Sequence, residues 1–166
     1  MKLEFSSGGV VFKKVVDKGT YWLIARSSPS KEFPESYWRL PKGWIDDEKD
    51  KPGVLARGEK RANVQQLQEA ALREVREEGG VEAKIVKKIG TKKIFFTKSG
   101  ERLLKFVTYY LMEWVKDIQE GAGFETSETG WFSYDAARER LKYKSEKEVL
   151  EKAREILDEG IQTNLV

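Results

Sequence analysis

The fold of this chain is decided by the stretch Arg73-Glu74-Val75-Arg76-Glu77-Glu78-Gly79-Gly80-Val81. Apolar residues lead into it at spacings of three and four, the period of one helix face: Val64, Leu67, Ala71, Leu72 and Val75. Asn63 is a suitable N-cap residue, and the Gly79-Gly80 pair is a suitable stop signal. The pattern predicts one amphipathic helix from about Asn63 to Glu78.

Three glutamates share one side of this predicted helix. Glu74, Glu77 and Glu78 are three and four positions apart, so their carboxylates can converge on a common point. Their repulsion costs roughly a few tenths of a kcal/mol per pair, and a divalent cation reverses the sign of that cost. Oxygen-only ligands suit Mg²⁺ or Mn²⁺. The alternative is an ordinary solvated face with an i,i+4 salt bridge between Arg73 and Glu77, and the glutamates alone leave both interpretations open.

Composition narrows the chemistry available to the chain. Its 166 residues suit a single compact domain, and 39% hydrophobic and 36% charged residues are typical of a soluble protein. Cysteine and histidine are absent, so catalysis must use carboxylates, lysine, tyrosine or hydroxyls. With a net charge of +3 and no apolar run near the roughly 20 residues of a membrane span, we expect neither duplex nucleic acid nor a membrane as partner. The N-terminal residues do not resemble a signal peptide, and we expect a cytoplasmic protein.

Apolar and turn-forming residues predict strands on both sides of the helix. The predicted strands are Leu3–Lys13, Tyr21–Ala25, a short strand that a loop enters within Trp38–Ile45, Val81–Phe96, Arg102–Val115 and Gly130–Phe132. The fifth of these is apolar on both faces, which places it in the middle of a sheet.

Two more helices are predicted near the C-terminus, Asp135–Leu141 and Glu146–Asp158, with Gly160 ending the second. Strands flanked by helices predict the α/β class, as an α/β/α sandwich around a mixed sheet. Residues 46–61 are almost entirely charged or turn-forming and show no periodicity. They predict an exposed, inserted loop within one domain that spans residues 1–166.

The pattern Arg-Glu-aliphatic-x-Glu-Glu-x-Gly-aliphatic, from Arg73 to Val81, resembles the second half of the Nudix box at every specified position. The resemblance implies a Nudix fold and Mg²⁺-dependent hydrolysis of a diphosphate linkage, with Mn²⁺ as a possible substitute. It implies that Glu77 and Glu78 are the first-choice metal ligands and that Glu74 is a ligand or the base. Neutralising the diphosphate and aligning a water need no histidine when metal ions are present.

The upstream half of the box departs from the family pattern. Leu40-Pro41-Lys42-Gly43-Trp44-Ile45-Asp46 resembles the start of the box, but Gly43 lies 30 positions before Arg73, which indicates an insertion of about sixteen residues. The early glutamate of the pattern is replaced by Gln65, and Asp47, Glu48 or Glu59 could substitute for it. The resemblance implies that the Gly43 carbonyl approaches the metal and that Lys42 meets phosphate.

Other segments resemble the diadenosine tetraphosphate hydrolase branch of the family. These segments are Ser6–Phe12, Gly100–Lys105, Tyr109–Met112 and Leu141–Ala153. The resemblance implies that Tyr143 stacks on adenine, that Lys105 and Trp38 contact the substrate, and that Glu125 lies near the metals, with Glu128 as the alternative.

We therefore predict an enzyme that cleaves diadenosine tetraphosphate asymmetrically to ATP and AMP. Alternative substrates within the family are oxidised nucleoside triphosphates, nucleotide sugars, diphosphoinositol phosphates and RNA 5′ ends, because the box specifies the bond and not the molecule. An alternative of another class is a non-catalytic Nudix domain that only binds a nucleotide. The expected partner is a small nucleotide, and the sequence does not determine the oligomeric state.

Overall fold

A computed structural model of the chain describes residues 1–164, with side chains described for residues 1–160. The described residues form a seven-stranded mixed sheet, a two-stranded sheet and three helices. In chain order the elements are β1 (Lys2–Val15), β2 (Gly19–Ser27), β3 (Trp38–Arg39), β4 (Lys42–Trp44), β5 (Asp47–Glu48), β6 (Lys51–Pro52), α1 (Val64–Gly79), β7 (Val81–Lys98), β8 (Glu101–Asp117), β9 (Thr126–Phe132), α2 (Tyr134–Arg140) and α3 (Lys144–Asn164).

The main path of the large sheet runs β3-β2-β1-β8-β7, while β4 pairs with β1 and β9 pairs with β2. β1 and β8 pair in parallel from Lys2 opposite Leu103 to Phe12 opposite Glu113. The other strand pairs are antiparallel. β8 lies between β1 and β7, as its two apolar faces predict. Residues 38–45, predicted as a loop that enters a short strand, form two short strands, β3 and β4, separated by Leu40-Pro41.

Helices cover both faces of the sheet. Val10 and Phe12 of β1 pack with residues of α2 and α3, whereas Val11, between them, packs with α1. Successive side chains of a strand point to opposite faces, so one strand contributes to two cores. The predicted α/β/α sandwich is confirmed.

α1 confirms the helix predicted from the apolar spacing. The Asn63 side chain accepts a hydrogen bond from the Gln66 backbone N–H (2.8 Å), and the Gln66 side chain accepts one from the Asn63 N–H (3.0 Å). This reciprocal capping satisfies two donors that the first turn leaves open. Gly80 ends the helix at φ +68, where a Cβ would lie 2.8 Å from the Ala122 nitrogen. The glycine thus lets the loop before β9 approach the end of α1.

The prediction of an exposed, irregular loop over residues 46–61 is wrong in part. β5 and β6 form a hairpin, and Leu55 and Ala56 are buried. The Asp46 carboxylate accepts hydrogen bonds from the backbone N–H groups of Leu55 (3.1 Å) and Ala56 (2.8 Å). Leu55 also packs with Ala70 of α1. One carboxylate and a few apolar contacts hold the segment against the domain.

The C-terminal helices lie where they are predicted, with one correction. The prediction that Gly160 ends the last helix is wrong, because α3 continues to Asn164. A glycine inside a helix costs only about 1 kcal/mol relative to alanine, so it does not have to end one. Among residues 1–164, no helix has the length and apolar character needed to cross a membrane.

Candidate active site

Glu78, near the C-terminal end of α1, is a buried carboxylate at 4% exposure. Its Oε1 accepts a hydrogen bond from the Lys42 backbone N–H (3.3 Å), and its Oε2 lies 3.4 Å from Arg39 Nη2. Burial raises the pKa of Glu78, while Arg39 and Lys42 act in the opposite direction. The buried charge is therefore compensated by two groups of the Arg39–Lys42 segment.

Glu74 lies one turn earlier and faces Gly43. A Cβ added to Gly43 would collide with the Glu74 carboxylate, so the glycine leaves room for this carboxylate beside β4. The Glu74 pKa is raised to about 7, first by burial and then by the negative charges of Glu78 and Glu77. The two buried glutamates are close enough to repel each other.

Arg73 and Glu77 do not form the ordinary salt bridge that was the alternative for this helix face. Arg73 Nη2 instead donates to the backbone oxygens of Trp44 (2.7 Å) and Ile45 (3.2 Å) and lies 3.5 Å from Glu74 Oε1. The Glu77 side chain is exposed. Arg73 thus fixes the end of β4 to α1.

The donor chemistry of this helix face fits a hard divalent cation, since carboxylate and carbonyl oxygens are what Mg²⁺ prefers. The mutual repulsion that raises the Glu74 pKa is the kind that a cation relieves. However, the described side chains contain no group of three or more acidic residues placed around a single metal position. Glu78 faces Arg39, so the predicted convergence of three carboxylates is not formed, and the metal site stays a prediction.

Basic side chains lie opposite the two buried glutamates. Lys42 Nζ is 3.4 Å from Glu146 Oε1 at the start of α3. The Lys105 pKa is lowered to about 8 by burial and by the nearby positive charge of Lys42, despite Glu4 and Glu78. Two lysines held close together in a poorly solvated place favour the binding of an anion.

The loop before β9 brings one of the two predicted glutamates to this site. The Glu125 backbone oxygen accepts a hydrogen bond from Arg39 Nη2 (3.3 Å), and the Glu125 charge raises the Glu78 pKa. Glu128 instead lies 3.7 Å from Arg26, on the β2 side. Glu125 is therefore better placed than its alternative.

None of the three candidates for the missing early glutamate forms a hydrogen bond or ion pair with Glu74 or Glu78. Arg57 pairs with both Glu48 (3.8 Å) and Glu59 (2.8 Å), and Asp47 is exposed on β5. The Arg57 guanidinium also lowers the Glu59 pKa. Glu48 and Glu59 therefore pair with a residue of the inserted segment itself.

Aromatic rings border the site at the start of α3. Tyr143 is half-exposed and contacts Tyr37 edge to face at a centroid distance of 5.5 Å. Lys142 Nζ lies 5.0 Å from the Tyr37 ring and 5.5 Å from the Tyr143 ring. Trp38 differs, because it packs against Phe132 at 5.4 Å and joins the core. Tyr143 retains 37% of its surface in solvent, whereas the packing of Trp38 favours a structural role.

A comparison with known protein families identifies the family of this chain. The family model of the NUDIX domain matches residues 9–153. This chain belongs to the Nudix family. The match includes α1, the Leu40–Gly43 segment, Lys105 and Tyr143, so the resemblance found in the sequence is confirmed.

A Mycobacterium tuberculosis protein that bears the mutator-protein name MutT4 is 29% identical to this Nudix chain over 155 residues. The match covers 93% of this chain and 56% of the relative, so the chain spans little more than half of that relative's length.

Two solved structures share the Nudix fold with this chain. A Caenorhabditis elegans Ap4A hydrolase binary complex is 22% identical, with a TM-score of 0.61 and coverage of 93% of this chain and 98% of that one. The NUDIX domain of Shewanella oneidensis NrtR, complexed with ADP ribose, is 17% identical, with a TM-score of 0.60 and coverage of 95% and 90%. These likenesses confirm the fold.

Two residues of the site, Arg39 and Glu146, were not predicted from the sequence. Arg39 stands directly before Leu40-Pro41, and this position next to the Nudix segment was the available signal. Glu146 belongs to a helix rich in glutamate and lysine, where nothing in the local pattern separates a buried carboxylate from an exposed one.

Proposed function

We propose that this chain is a divalent-metal-dependent pyrophosphohydrolase that hydrolyses a diphosphate linkage in a nucleotide. The observation that carries this proposal is a pair of carboxylates on a Nudix helix, the buried Glu78 and the largely buried Glu74, which face Gly43, Arg39 and Lys42. Burying like charges together is costly unless a cation joins them. A stability role alone does not account for this arrangement.

Glu74, Glu77 and Glu78, together with the Gly43 carbonyl, would hold Mg²⁺, with Mn²⁺ as a substitute. The metal, when bound, would supply neutralisation of the diphosphate charge and a more acidic water. Glu74 would serve either as one of these metal ligands or as the base that accepts a proton from the attacking water. Glu125 lies close enough to Glu78 to assist as a further carboxylate.

The remaining residues would bind the two ends of the substrate. Lys42, Lys105 and Arg39 present positive charge to the phosphates, and Tyr143 presents a ring on which adenine can stack. Stacking on an aromatic side chain contributes roughly 1–3 kcal/mol per base. We propose diadenosine tetraphosphate as the substrate, cleaved by one water to ATP and AMP, in a cytoplasmic enzyme. The sequence resemblance to that branch and the shared fold of the C. elegans Ap4A hydrolase support this choice.

A second candidate substrate is ADP-ribose or another nucleotide sugar. The fold similarity to a Nudix domain complexed with ADP ribose favours it. The inserted segment 46–61 packs beside α1 and β1, and we propose that it affects which nucleotide fits. The third candidate, a non-catalytic nucleotide-binding domain, is disfavoured because Glu74, Glu77 and Glu78 are all present.

Substrate profiling of the purified protein tests this proposal. With Mg²⁺, the protein should cleave diadenosine tetraphosphate to unequal products, ATP and AMP, faster than nucleoside triphosphates, ADP-ribose or triphosphorylated RNA, as followed by chromatography. Glu78→Gln should abolish turnover while the circular dichroism spectrum is kept, whereas Glu128→Gln, its matched control on β9, should retain activity. Faster cleavage of ADP-ribose would reject the substrate, and no turnover on any compound would reject the enzyme.

A further inference from the structure

Glu146, in the first turn of α3, is almost completely buried at 1% exposure. Its Oε1 accepts a hydrogen bond from the Leu40 backbone N–H at 2.6 Å and lies 3.4 Å from Lys42 Nζ. Charge-assisted hydrogen bonds of this length are among the stronger ones in proteins. One carboxylate of the C-terminal helix therefore contacts both ends of the Leu40–Lys42 tripeptide.

The same tripeptide also forms hydrogen bonds with α1 and β1. The Lys42 N–H donates to Glu78 Oε1 (3.3 Å), while the Pro41 oxygen accepts a hydrogen bond from the Gly9 N–H (3.1 Å). Pro41 has no N–H of its own, so both backbone donors of the tripeptide go to carboxylates. α1 and α3 thus fix the position of Lys42 together.

Packing does not account for a charged residue at the Glu146 position. Within the described side chains, Glu146 Oε2 and the Tyr109 hydroxyl are buried without hydrogen-bond partners. A buried carboxylate that is only partly satisfied contributes little to stability compared with an apolar residue of similar size. The contacts it does make are both with the segment that carries Lys42.

We propose that Glu146 is a positioning residue for phosphate binding, which holds the Lys42 ammonium and the Leu40 amide so that Lys42 faces the phosphate groups of the substrate. This inference rests on the proposed function, because Lys42 is taken there as a phosphate ligand. Glu146 acts through Lys42 and does not itself touch the substrate.

A double-mutant cycle with imidodiphosphate, a non-hydrolysable diphosphate, tests this role. Glu146→Gln keeps an oxygen for the Leu40 amide and removes the charge that holds Lys42. We expect it to weaken imidodiphosphate binding with Mg²⁺ about tenfold by calorimetry, the size of effect typical for a lost charged hydrogen bond. In a Lys42→Met background, the same substitution should change binding by less than about twofold, because the residue through which it acts is gone.

Glu148→Gln is the matched control, since Glu148 lies on the same helix and pairs with Lys92 at 2.6 Å, among residues of β7 that the proposed site does not use. It should leave binding unchanged, and thermal unfolding should show that all variants fold. Equal weakening by Glu146→Gln in both backgrounds, no weakening at all, or no binding by the unaltered protein would each overturn the inference. If the unaltered protein binds imidodiphosphate but cleaves no nucleotide, the proposed function fails while the role of Glu146 is still decided by binding.

Discussion

Replacing Glu74 by glutamine should stabilise the protein when no metal is present. The Glu74 side chain is 12% exposed, and its pKa of about 7 lies above the ordinary value of 4.5. The folded state therefore binds the proton more tightly than the unfolded state. Below about pH 4.5 both states are protonated, and the free energy of unfolding does not depend on this group. As pH rises from about 4.5 to about 7, the unfolded state loses its proton first and the folded protein becomes less stable.

Above about pH 7 the full cost is present. The difference of about 2.5 between the two pKa values, at about 1.36 kcal/mol per pKa unit, corresponds to a cost of about 3 kcal/mol. At pH 8 in EDTA, Glu74→Gln should then raise the Tm by roughly 6–12 °C, given roughly 2–4 °C per kcal/mol for a domain of this size. At pH 4 the same substitution should have little effect.

Calorimetric unfolding at the two pH values measures this effect directly. Glu77→Gln, an exposed carboxylate on the same helix, is the matched control and should shift the Tm much less. If Glu74→Gln does not raise the Tm at pH 8 above that of the control, then burial does not impose the cost assigned to it. The same variant should lose catalytic activity, so stability and activity would change in opposite directions.

Two further substitutions test other parts of the structure. Asp46→Ala leaves two backbone amides without an acceptor. It should therefore lower the free energy of unfolding, measured by urea denaturation, by about 1–3 kcal/mol. An unchanged urea midpoint would show that this carboxylate does not hold the inserted segment. Lys105 has a pKa lowered to about 8, so the unaltered protein should gain stability as pH rises from about 8 towards 10.5, where only the unfolded state keeps the proton. Lys105→Met should remove this pH dependence and stabilise the protein at pH 7 by about 1–3 kcal/mol. The same substitution should weaken imidodiphosphate binding. If the stability of the variant still rises between about pH 8 and about pH 10.5, another group causes the pH dependence.

The sequence predicted those helices and strands whose signals lie within a few residues of one another. α1 was predictable because its apolar period, its Asn63 cap and its closing glycines all lie within the helix or next to it. The layered architecture followed because alternation along a strand assigns each residue to a face. The position of β8 in the sheet followed in the same way from its two apolar faces.

Features that depend on contacts between distant residues could not be predicted. The hydrogen bond between Glu146 and Leu40 joins residues 106 positions apart, and the local sequence of α3 contains no trace of it. The inserted segment looked exposed because its charged residues outnumber its apolar ones, although Leu55 and Ala56 are enough to bury part of it. The three glutamates share a helix face as predicted, but the partner that Glu78 takes, Arg39, depends on how the segment before β4 folds back.

The parallel pairing of β1 with β8 has a consequence for how the chain reaches its folded state. Each pair in this register joins residues 101 positions apart, from Lys2 with Leu103 to Phe12 with Glu113. Closing so large a loop costs entropy before the contacts form, which makes parallel pairing intrinsically slow. During synthesis, which proceeds from the N-terminus, α1 is complete well before β8 exists. β1 therefore has no parallel partner until β8 has been synthesised, and the large sheet can be completed only after that.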